Sequence, residues 1–334
     1  MTAIAQEPAT HVERTGARSV RRDWMVFAVT MGVLAGPPLL FGGFYLYLAC
    51  TVAILAIAAL GLQVMVGLAG QLSLGHAAFM GIGAYTTILL EKSLNLPFLP
   101  AALTGALAAG GAGLLMAQLV RLSGVYFKIA TFGFGVIVYQ VLSNWSDLTG
   151  GFAGIRGIPP IVVLGFEVEG RRGLYILELI ALGLVYAALL RLVHGRIGRA
   201  FRALGQDEIA ARSVGIPTTR YRMAVITIGC GVAGFAGAFL PHLLRFINPE
   251  NFTWYESIVL LIMITVGGLG SLPGAIVGAA ILVVVPEYLR DFAQYKMLAF
   301  GVLLIFSMVM LPTGVAGEAA RLVLDRGRRQ GKAQ

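Results

Sequence analysis

The chain has 334 residues, of which 58% are hydrophobic and 12% are charged, and its mean hydropathy is +0.84. Ordinary soluble domains carry about 25% charged residues, so this composition excludes a soluble globular protein and indicates a membrane protein. The formal net charge of +9 fits the basic cytoplasmic loops of membrane proteins better than a nucleic-acid partner, and we expect no such partner.

Charge-free segments along the chain predict an all-α, polytopic transmembrane helical bundle. The residues from Trp24 to Leu90 include no Asp, Glu, Lys or Arg, and about 20 apolar residues span a bilayer. Together with later runs they predict crossings at 25–42, 45–66, 76–91, 98–120, 126–143, 174–193, 223–244, 256–270, 273–286 and 296–312. The short pair 256–270 and 273–286 alternatively forms one broken or re-entrant element, so we expect about 8–10 spans.

Three regions follow from these crossings: an N-terminal tail at 1–23, a transmembrane domain at 24–312 and a basic C-terminal tail at 313–334. The two tails, the loop around Arg121–Lys128 and the loop Arg191–Arg222 share one side of the predicted membrane and hold 18 of the 25 Lys and Arg residues. The positive-inside rule makes this side cytoplasmic. The arginines of the tails either contact anionic membrane lipid or remain solvated.

Two predicted crossings are interrupted by glycine and proline, in the segments GQLSLGHAAF at 70–79 and GGLGSLPGAI at 267–276. Non-helical backbone at membrane depth persists only where protein or a water-filled cavity covers it, and transporters place binding sites at such discontinuous helices. Gln71, Ser73 and His76 are therefore candidates for the translocation pathway. The alternative for each is an interhelical hydrogen bond.

The segment Asn144–Gly173 faces the outside in this topology and is rich in glycine and proline, so we expect it to be mostly irregular. A polar external loop suits the docking of a substrate-delivery protein, although a plain connector would have the same composition. The candidate contacts with a binding protein are Asn144, Trp145, Asp147 and Arg156.

The cytoplasmic loop Arg191–Arg222 predicts a helix–turn–helix elbow. Its basic part, 196–203, has a helical pattern, and acidic residues then favour the start of a second short helix that Gly215 and Pro217 end. A loop that only sets topology needs basic residues but no such helix, so we favour docking into a groove of a cytoplasmic partner. The candidate docking residues are Asp207, Glu208, Ile209, Ala210, Ala211 and Gly215.

This loop resembles the coupling loop of ABC importer permeases, whose pattern is Glu-Ala-Ala, three residues, then Gly. The pair Ala210-Ala211 and Gly215 match that spacing, whereas Ile209 stands at the position of the Glu and Glu208 lies one residue earlier. Three further segments match the LivM-type permeases of branched-chain amino acid ABC transporters, at Gly67–Tyr85, Val125–Pro159 and Gly229–Phe239. The resemblance covers roughly residues 45–312.

The resemblance implies a permease subunit of an ABC importer in the bacterial inner membrane, and it implies no enzyme activity. The implied partners are ABC ATPase subunits, a second LivH-like permease subunit and a periplasmic substrate-binding protein. The implied substrates are branched-chain or other apolar amino acids, with urea or a short-chain amide as the alternative. The sequence contains no G-x-x-x-x-G-K-[ST] phosphate-binding loop, so a separate ATPase would supply the energy.

An ion-coupled secondary transporter or channel is the alternative from a different class. Coupled ions usually need carboxylates inside the membrane, and Glu178 is the one acid in the interior of a predicted span. An intramembrane enzyme would need clustered Asp, Glu or His, which the sequence lacks. We predict no catalytic residue, no cofactor and no metal site, and we expect the isolated Cys50 and Cys230 to be packing residues.

Overall fold

A computed structural model of the chain describes residues 23–36, 42–118, 125–163, 166–168, 170–288 and 301. Its helices are α1 Asp23–Gly36, α2 Phe44–Gln63, α3 His76–Leu94, α4 Phe98–Ala117, α5 Val125–Asn144, α6 Ser146–Thr149, α7 Gly170–His194, α8 Arg196–Gln206, α9 Glu208–Ser213, α10 Thr218–Leu244, α11 Trp254–Gly267 and α12 Leu272–Tyr288. A π-helical segment, Val64–Leu68, continues α2. The tails predicted at 1–23 and 313–334, except Asp23, and the span predicted at 296–312, except residue 301, lie outside the described residues.

Helices long enough to cross a membrane confirm the all-α bundle. Five described helices are long and apolar enough: Phe44–Leu68, Phe98–Ala117, Tyr126–Asn144, Gly170–His194 and Thr218–Leu244. α11 and α12 pass that test only together, and they bend by 120° at the break between them. Counting the bent pair as one span gives six within the described residues, and the bend of 120° supports the broken or re-entrant alternative.

The core of the bundle is formed by α2 and α10. α10 packs against α4, α3 and α2, and α2 also contacts α7, α11 and α12. A helix that is apolar all round is one that is buried on all sides, and most of α2 is buried. Small residues let membrane helices approach closely: a methyl group added at Gly237 of α10 would overlap the Met80 carbonyl of α3.

Two contacts between α1 and α7 show that these helices run antiparallel. Asp23 at the start of α1 lies 3.1 Å from His194 at the end of α7. At the other ends, the Tyr175 hydroxyl donates to the Leu34 carbonyl. We call the end of the bundle that carries Asp23, α8 and α9 the elbow end, and the other the opposite end.

Short strands and turns organise the opposite end, where the sequence predicts mostly irregular chain. The strands are β1 Ile155–Arg156, β2 Val162–Val163, β3 Phe166–Glu167 and β4 Phe246–Ile247. β1 pairs antiparallel with β4, with Ile155 opposite Ile247, and β2 pairs antiparallel with β3, with Val163 opposite Phe166. The 3₁₀ turns Gly151–Ala153 and Pro249–Phe252 lie beside these strands in sequence. The β2–β3 pairing joins neighbouring segments, whereas β1 and β4 are far apart in sequence, so no local pattern indicates their pairing.

Candidate functional site

The elbow predicted at 191–222 is present, as two short helices joined by one extended residue. Asp207 has extended backbone between α8 and α9. One carboxylate oxygen of its side chain accepts from the backbone N–H of Ile209 at 2.8 Å and of Ala210 at 3.0 Å. Short side chains with oxygen atoms satisfy the free N–H groups at a helix start, so Asp207 defines where α9 begins.

Gly215 ends α9 in the manner that the sequence predicts. Its φ is +83°, a conformation that only glycine adopts without strain. The Gly215 N–H donates to the Arg212 carbonyl at 3.0 Å, and the Ile216 N–H donates to the Ala211 carbonyl at 3.1 Å. These two bonds form a Schellman motif, which satisfies the last carbonyl groups of a helix. The glycine of the Ala-Ala-x-x-x-Gly spacing is thus required by backbone geometry.

The outer surface of α9 and of Val214, the residue that follows it, is exposed, and its apolar side chains lie there beside those of Arg212 and Ser213. Ile209 is 83% exposed and Val214 is 75% exposed, whereas Ala211 is buried. α9 rests on α10 and α8. A short helix that presents two branched aliphatic side chains to water offers the contact surface that helix-in-groove binding uses.

Glu208 joins the elbow to the start of α10. Its carboxylate forms a hydrogen-bonded ion pair with Arg212 at 2.9 Å, one turn along α9, and a second with Arg222 on α10. The Arg222 side chain is only 12% exposed. Behind it, the Phe201 ring of α8 packs edge-on against Tyr221 at 6.1 Å. The two short helices are therefore fixed to one long helix rather than loosely attached.

The candidate pathway residues differ in environment: Gln71 and Ser73 lie between the π segment and α3, and His76 is the first residue of α3. Gln71 is partly exposed, and its side-chain N–H donates to the nearby Ala69 carbonyl at 3.0 Å. Ser73 and His76 are fully buried. The His76 Nε2 lies 3.2 Å from the Ala58 carbonyl of α2, which favours the interhelical alternative for His76.

Three polar residues that sequence reasoning missed hold the two interruptions in place. The Thr131 hydroxyl accepts from the Leu74 N–H at 3.1 Å, and the Ser257 hydroxyl accepts from the Ala77 N–H at 2.9 Å. Gln63, which is fully buried, donates to the turn between α11 and α12. Each is a polar residue in an apolar run, and that signal was available in the sequence.

The candidate contacts of the opposite end fall into two places. Asn144, Trp145 and Asp147 are all exposed where α5 ends and α6 begins. Arg156 lies in β1, where its carbonyl accepts from the Lys92 ammonium at 2.9 Å and its guanidinium lies over the Phe246 ring, 5.8 Å from the centroid. The structure gives these four residues exposed positions but does not gather them into one cluster.

A buried contact between a carboxylate and an imidazole, which sequence reasoning also missed, lies at the same end. The Glu91 carboxylate of α3 lies 3.2 Å from His242 Nε2 of α10, and both side chains are buried. The other ring nitrogen of His242 lies 3.2 Å from the Pro159 carbonyl. Through these two contacts His242 joins the segment around Pro159 to the ends of α3 and α10.

Glu178 is the one residue here that bears on ion coupling. It is fully buried in α7, and neither carboxyl oxygen has a hydrogen-bond partner within the described part of the chain. Cys50 of α2 lies beside it. In the same ranges no group of three His, Cys, Asp or Glu residues is placed to hold a metal ion.

Comparison with known proteins gives a consistent result. The family described as "Branched-chain amino acid transport system / permease component" matches residues 44–308. The chain is 37% identical over 298 residues to the high-affinity branched-chain amino acid transport system permease protein LivM of Salmonella typhimurium, which covers 82% of this chain and 70% of that protein. It is 38% identical over 280 residues to LivM of Escherichia coli, with coverages of 77% and 66%.

A second type of permease is also similar to this chain. The high-affinity branched-chain amino acid transport system permease protein LivH of Escherichia coli is 25% identical over 285 residues, which covers 79% of this chain and 91% of that protein. Both kinds of relative are transport permeases by name. The matched family range includes the whole elbow and both interrupted segments.

Proposed function

This chain belongs to the branched-chain amino acid transport permease family, and on that premise we propose that it is the membrane-spanning subunit of an ATP-driven importer. The observation that carries the proposal is the elbow: a capped, exposed apolar helix fixed by Glu208 to a long membrane helix. A permease without its own phosphate-binding loop needs such a surface to receive work from an ATPase. The elbow end of the bundle is then cytoplasmic.

The ATPase subunit binds α9 in this proposal. Ile209 and Val214 insert into a groove of the ATPase, and the small residues Ala210 and Ala211 let the partner approach closely. The rigid link through Glu208 and Arg222 passes a movement of the ATPase to α10. Since α10 packs against α2, α3 and α4, a tilt of this one helix moves most of the core.

Further partners follow from the family. A LivH-like second permease completes the pathway, as relatives of both types exist. A periplasmic binding protein docks on the opposite end, where Trp145 is 54% exposed and Asn144 and Asp147 lie beside it. The complex resides in the bacterial inner membrane and contacts membrane lipid. Nothing in this role needs an enzyme site, a cofactor or a nucleic acid.

Branched-chain or other apolar amino acids are the proposed substrates, because the relatives are named for them. Urea or a short-chain amide is the alternative within the same architecture. Gln71 is the pathway candidate that keeps partial exposure, and one amide group accommodates either kind of substrate. A competition experiment between the two classes of substrate, and not the side chain of Gln71, therefore identifies the substrate.

An ion-coupled secondary transporter is the second candidate function, and Glu178 is the specific observation that favours it. A buried carboxyl group within a span marks an ion or proton site in many transporters. However, no group of three His, Cys, Asp or Glu residues that could hold an ion is present among the described residues, and an ion-coupled carrier has no use for an exposed docking helix.

Uptake of labelled leucine tests the proposal. Cells that lack their own branched-chain uptake express this chain with its cognate partners, and the ATPase is either intact or deficient in hydrolysis. We expect uptake only with the intact ATPase, and we expect valine and isoleucine to compete where glutamate and urea do not. Competition by urea alone would assign the alternative substrate. Uptake with the deficient ATPase would contradict the proposed function.

A further inference from the structure

Three segments that are distant in sequence meet at the elbow end of the bundle. They are the π segment Val64–Leu68, the turn 268–271 between α11 and α12, and the end of α8. π-helical segments are rare and occur frequently at functional sites. The turn carries two glycines with positive φ, Gly268 at +115° and Gly270 at +84°, so its path is one that other residues resist.

Gln63 closes the turn against α2. It is the last residue of α2 and is fully buried. Its side-chain N–H₂ group donates to the Gly268 carbonyl at 2.8 Å and to the Ser271 carbonyl at 3.1 Å. One amide thus binds both ends of the turn across a sequence separation of 205 residues.

The backbone of the π segment is in close contact with the α11–α12 turn on one side and with α8 on the other. A methyl group at Gly67 would lie 2.5 Å from the Gly270 nitrogen, so the π segment touches the turn directly. On the other side, a methyl group at Gly205 of α8 would overlap the Leu68 carbonyl. The path from α8 through the π segment to the turn consequently has no gap and no flexible side chain in it, apart from the amide of Gln63.

Packed elements respond to displacement as units, because protein interiors are close-packed and hardly compressible. The elbow contains α8, which touches the π segment through Gly205, and α9, which carries the exposed apolar face. The turn contains the break at which α11 and α12 bend by 120°. Discontinuous helices of this kind surround transport pathways.

We infer that Gln63 is a positioning residue that binds the α11–α12 turn to the π segment, and that a displacement of the elbow reaches the bent helix pair through this contact. The inference rests on the proposed function, because it needs an ATPase that moves the elbow. Gln63 does not touch the ATPase in this scheme, and it acts through the turn that it holds. Substitution of Gln63 therefore uncouples ATP hydrolysis from transport: hydrolysis continues, but less substrate is transported for each ATP.

The complete transporter, purified with its cognate partners and reconstituted in proteoliposomes, provides the test. Gln63→Met keeps the length of the side chain and removes the donor. We expect the leucine transported per ATP hydrolysed to fall by about two- to thirty-fold, the range for residues that couple two sites, while hydrolysis continues. Gln118→Leu is the matched control, since Gln118 is exposed at the end of α4, and it should keep the wild-type ratio.

An assembled Gln63→Met transporter with an unchanged ratio overturns the inference, since a side chain that only fills space would give that result. If this variant fails to assemble, Gly205→Ala decides by the same ratio: its added methyl group separates α8 from Leu68, so a lowered ratio supports the path and a wild-type ratio overturns it. A wild-type transporter that shows no ATP-dependent uptake contradicts the proposed function itself, and the inference falls with it.

Discussion

Glu208 is bound by two arginines on two different helices. We expect its substitution to change ATP-dependent transport much more than the stability of the fold. Partly exposed ion pairs contribute about 0.2–1 kcal/mol to the free energy of unfolding, so Glu208→Gln should leave the thermal unfolding of the purified subunit nearly unchanged. The same variant releases α9 from Arg222, so we expect ATP-dependent leucine uptake per folded transporter to fall several-fold.

The charge-swapped double variant Glu208→Arg with Arg222→Glu is the control for that prediction. It rebuilds the pair with reversed sign, and uptake should recover relative to Glu208→Gln. A normal uptake rate in Glu208→Gln would show that the tether to α10 has no part in transport, and a double variant that stays as slow as Glu208→Gln would show that the loss does not come from this ion pair.

The contact of His76 with α2 favours a structural role for this residue, and its substitution tests that role. His76→Ala removes the group 3.2 Å from the Ala58 carbonyl, and a buried polar group without a partner costs about 1–3 kcal/mol. We expect the unfolding midpoint in detergent and the yield of folded protein to fall, and uptake to fall in proportion to yield. Normal stability with a selective loss of uptake would instead return His76 to the pathway.

The sequence indicates which residues are unusual, but it does not indicate which distant residues they contact. Polar residues in apolar runs can be recognised as unusual, and His76 and Ser73 were selected in that way. The partner of Gln63 is a turn 205 residues away, and no local pattern contains that information. The same is true of Glu91 and His242, which become a pair only because α3 and α10 end side by side.

At the scale of elements, α9 combines exposure with an apolar surface, which makes it testable without damage to the fold. Ile209 is 83% exposed, and substitutions at such positions usually change stability by about 0.5 kcal/mol or less. We expect Ile209→Asp to prevent copurification of the ATPase, because a carboxylate would be desolvated in an apolar groove. Ile209→Val keeps the apolar contact and should retain the ATPase. Retention of the ATPase by Ile209→Asp would exclude α9 as the docking helix.

Helix positions were predictable because the membrane imposes a length and excludes charge. The starts predicted at 45, 76 and 98 agree with Phe44, His76 and Phe98 to within one residue. α7 starts at Gly170 instead of 174, and α10 starts at Thr218 instead of 223, since both helices continue into charged flanks. Long basic side chains can reach water from such positions, so a charge-free window underestimates these helices.

The sequence did not predict the size of the bend between α11 and α12 or the extent of the break before α3. Glycine and proline indicated an interruption at 267–276, but the bend of 120° depends on how α11 and α12 pack. Five glycines punctuate the first interrupted crossing, yet Gly81 and Gly83 lie inside regular α3. The break there is confined to the residues before His76. Thr131 binds the free Leu74 N–H in this break, and Ser257 binds the Ala77 N–H in the first turn of α3.

The whole molecule is a helical bundle whose two ends have different structures. The elbow end has an exposed apolar helix attached by an ion pair, and the opposite end has short strands pinned by Lys92 and the Glu91–His242 pair. This asymmetry suits a subunit that receives work at one end and substrate at the other. The sequence predicted such a division, because 18 of its 25 Lys and Arg residues are in segments that the positive-inside rule assigns to one side.

The proposal that ATP hydrolysis drives transport is tested by the uptake of labelled leucine into proteoliposomes. The complete transporter is reconstituted with ATP enclosed on the side of the ATPase and binding protein outside, in the presence of ionophores that collapse proton and sodium gradients. We expect uptake that persists with the ionophores and disappears when ATP is replaced by a non-hydrolysable analogue. Uptake that survives the analogue, or that the ionophores abolish, would contradict it and would assign the chain to ion-coupled transport.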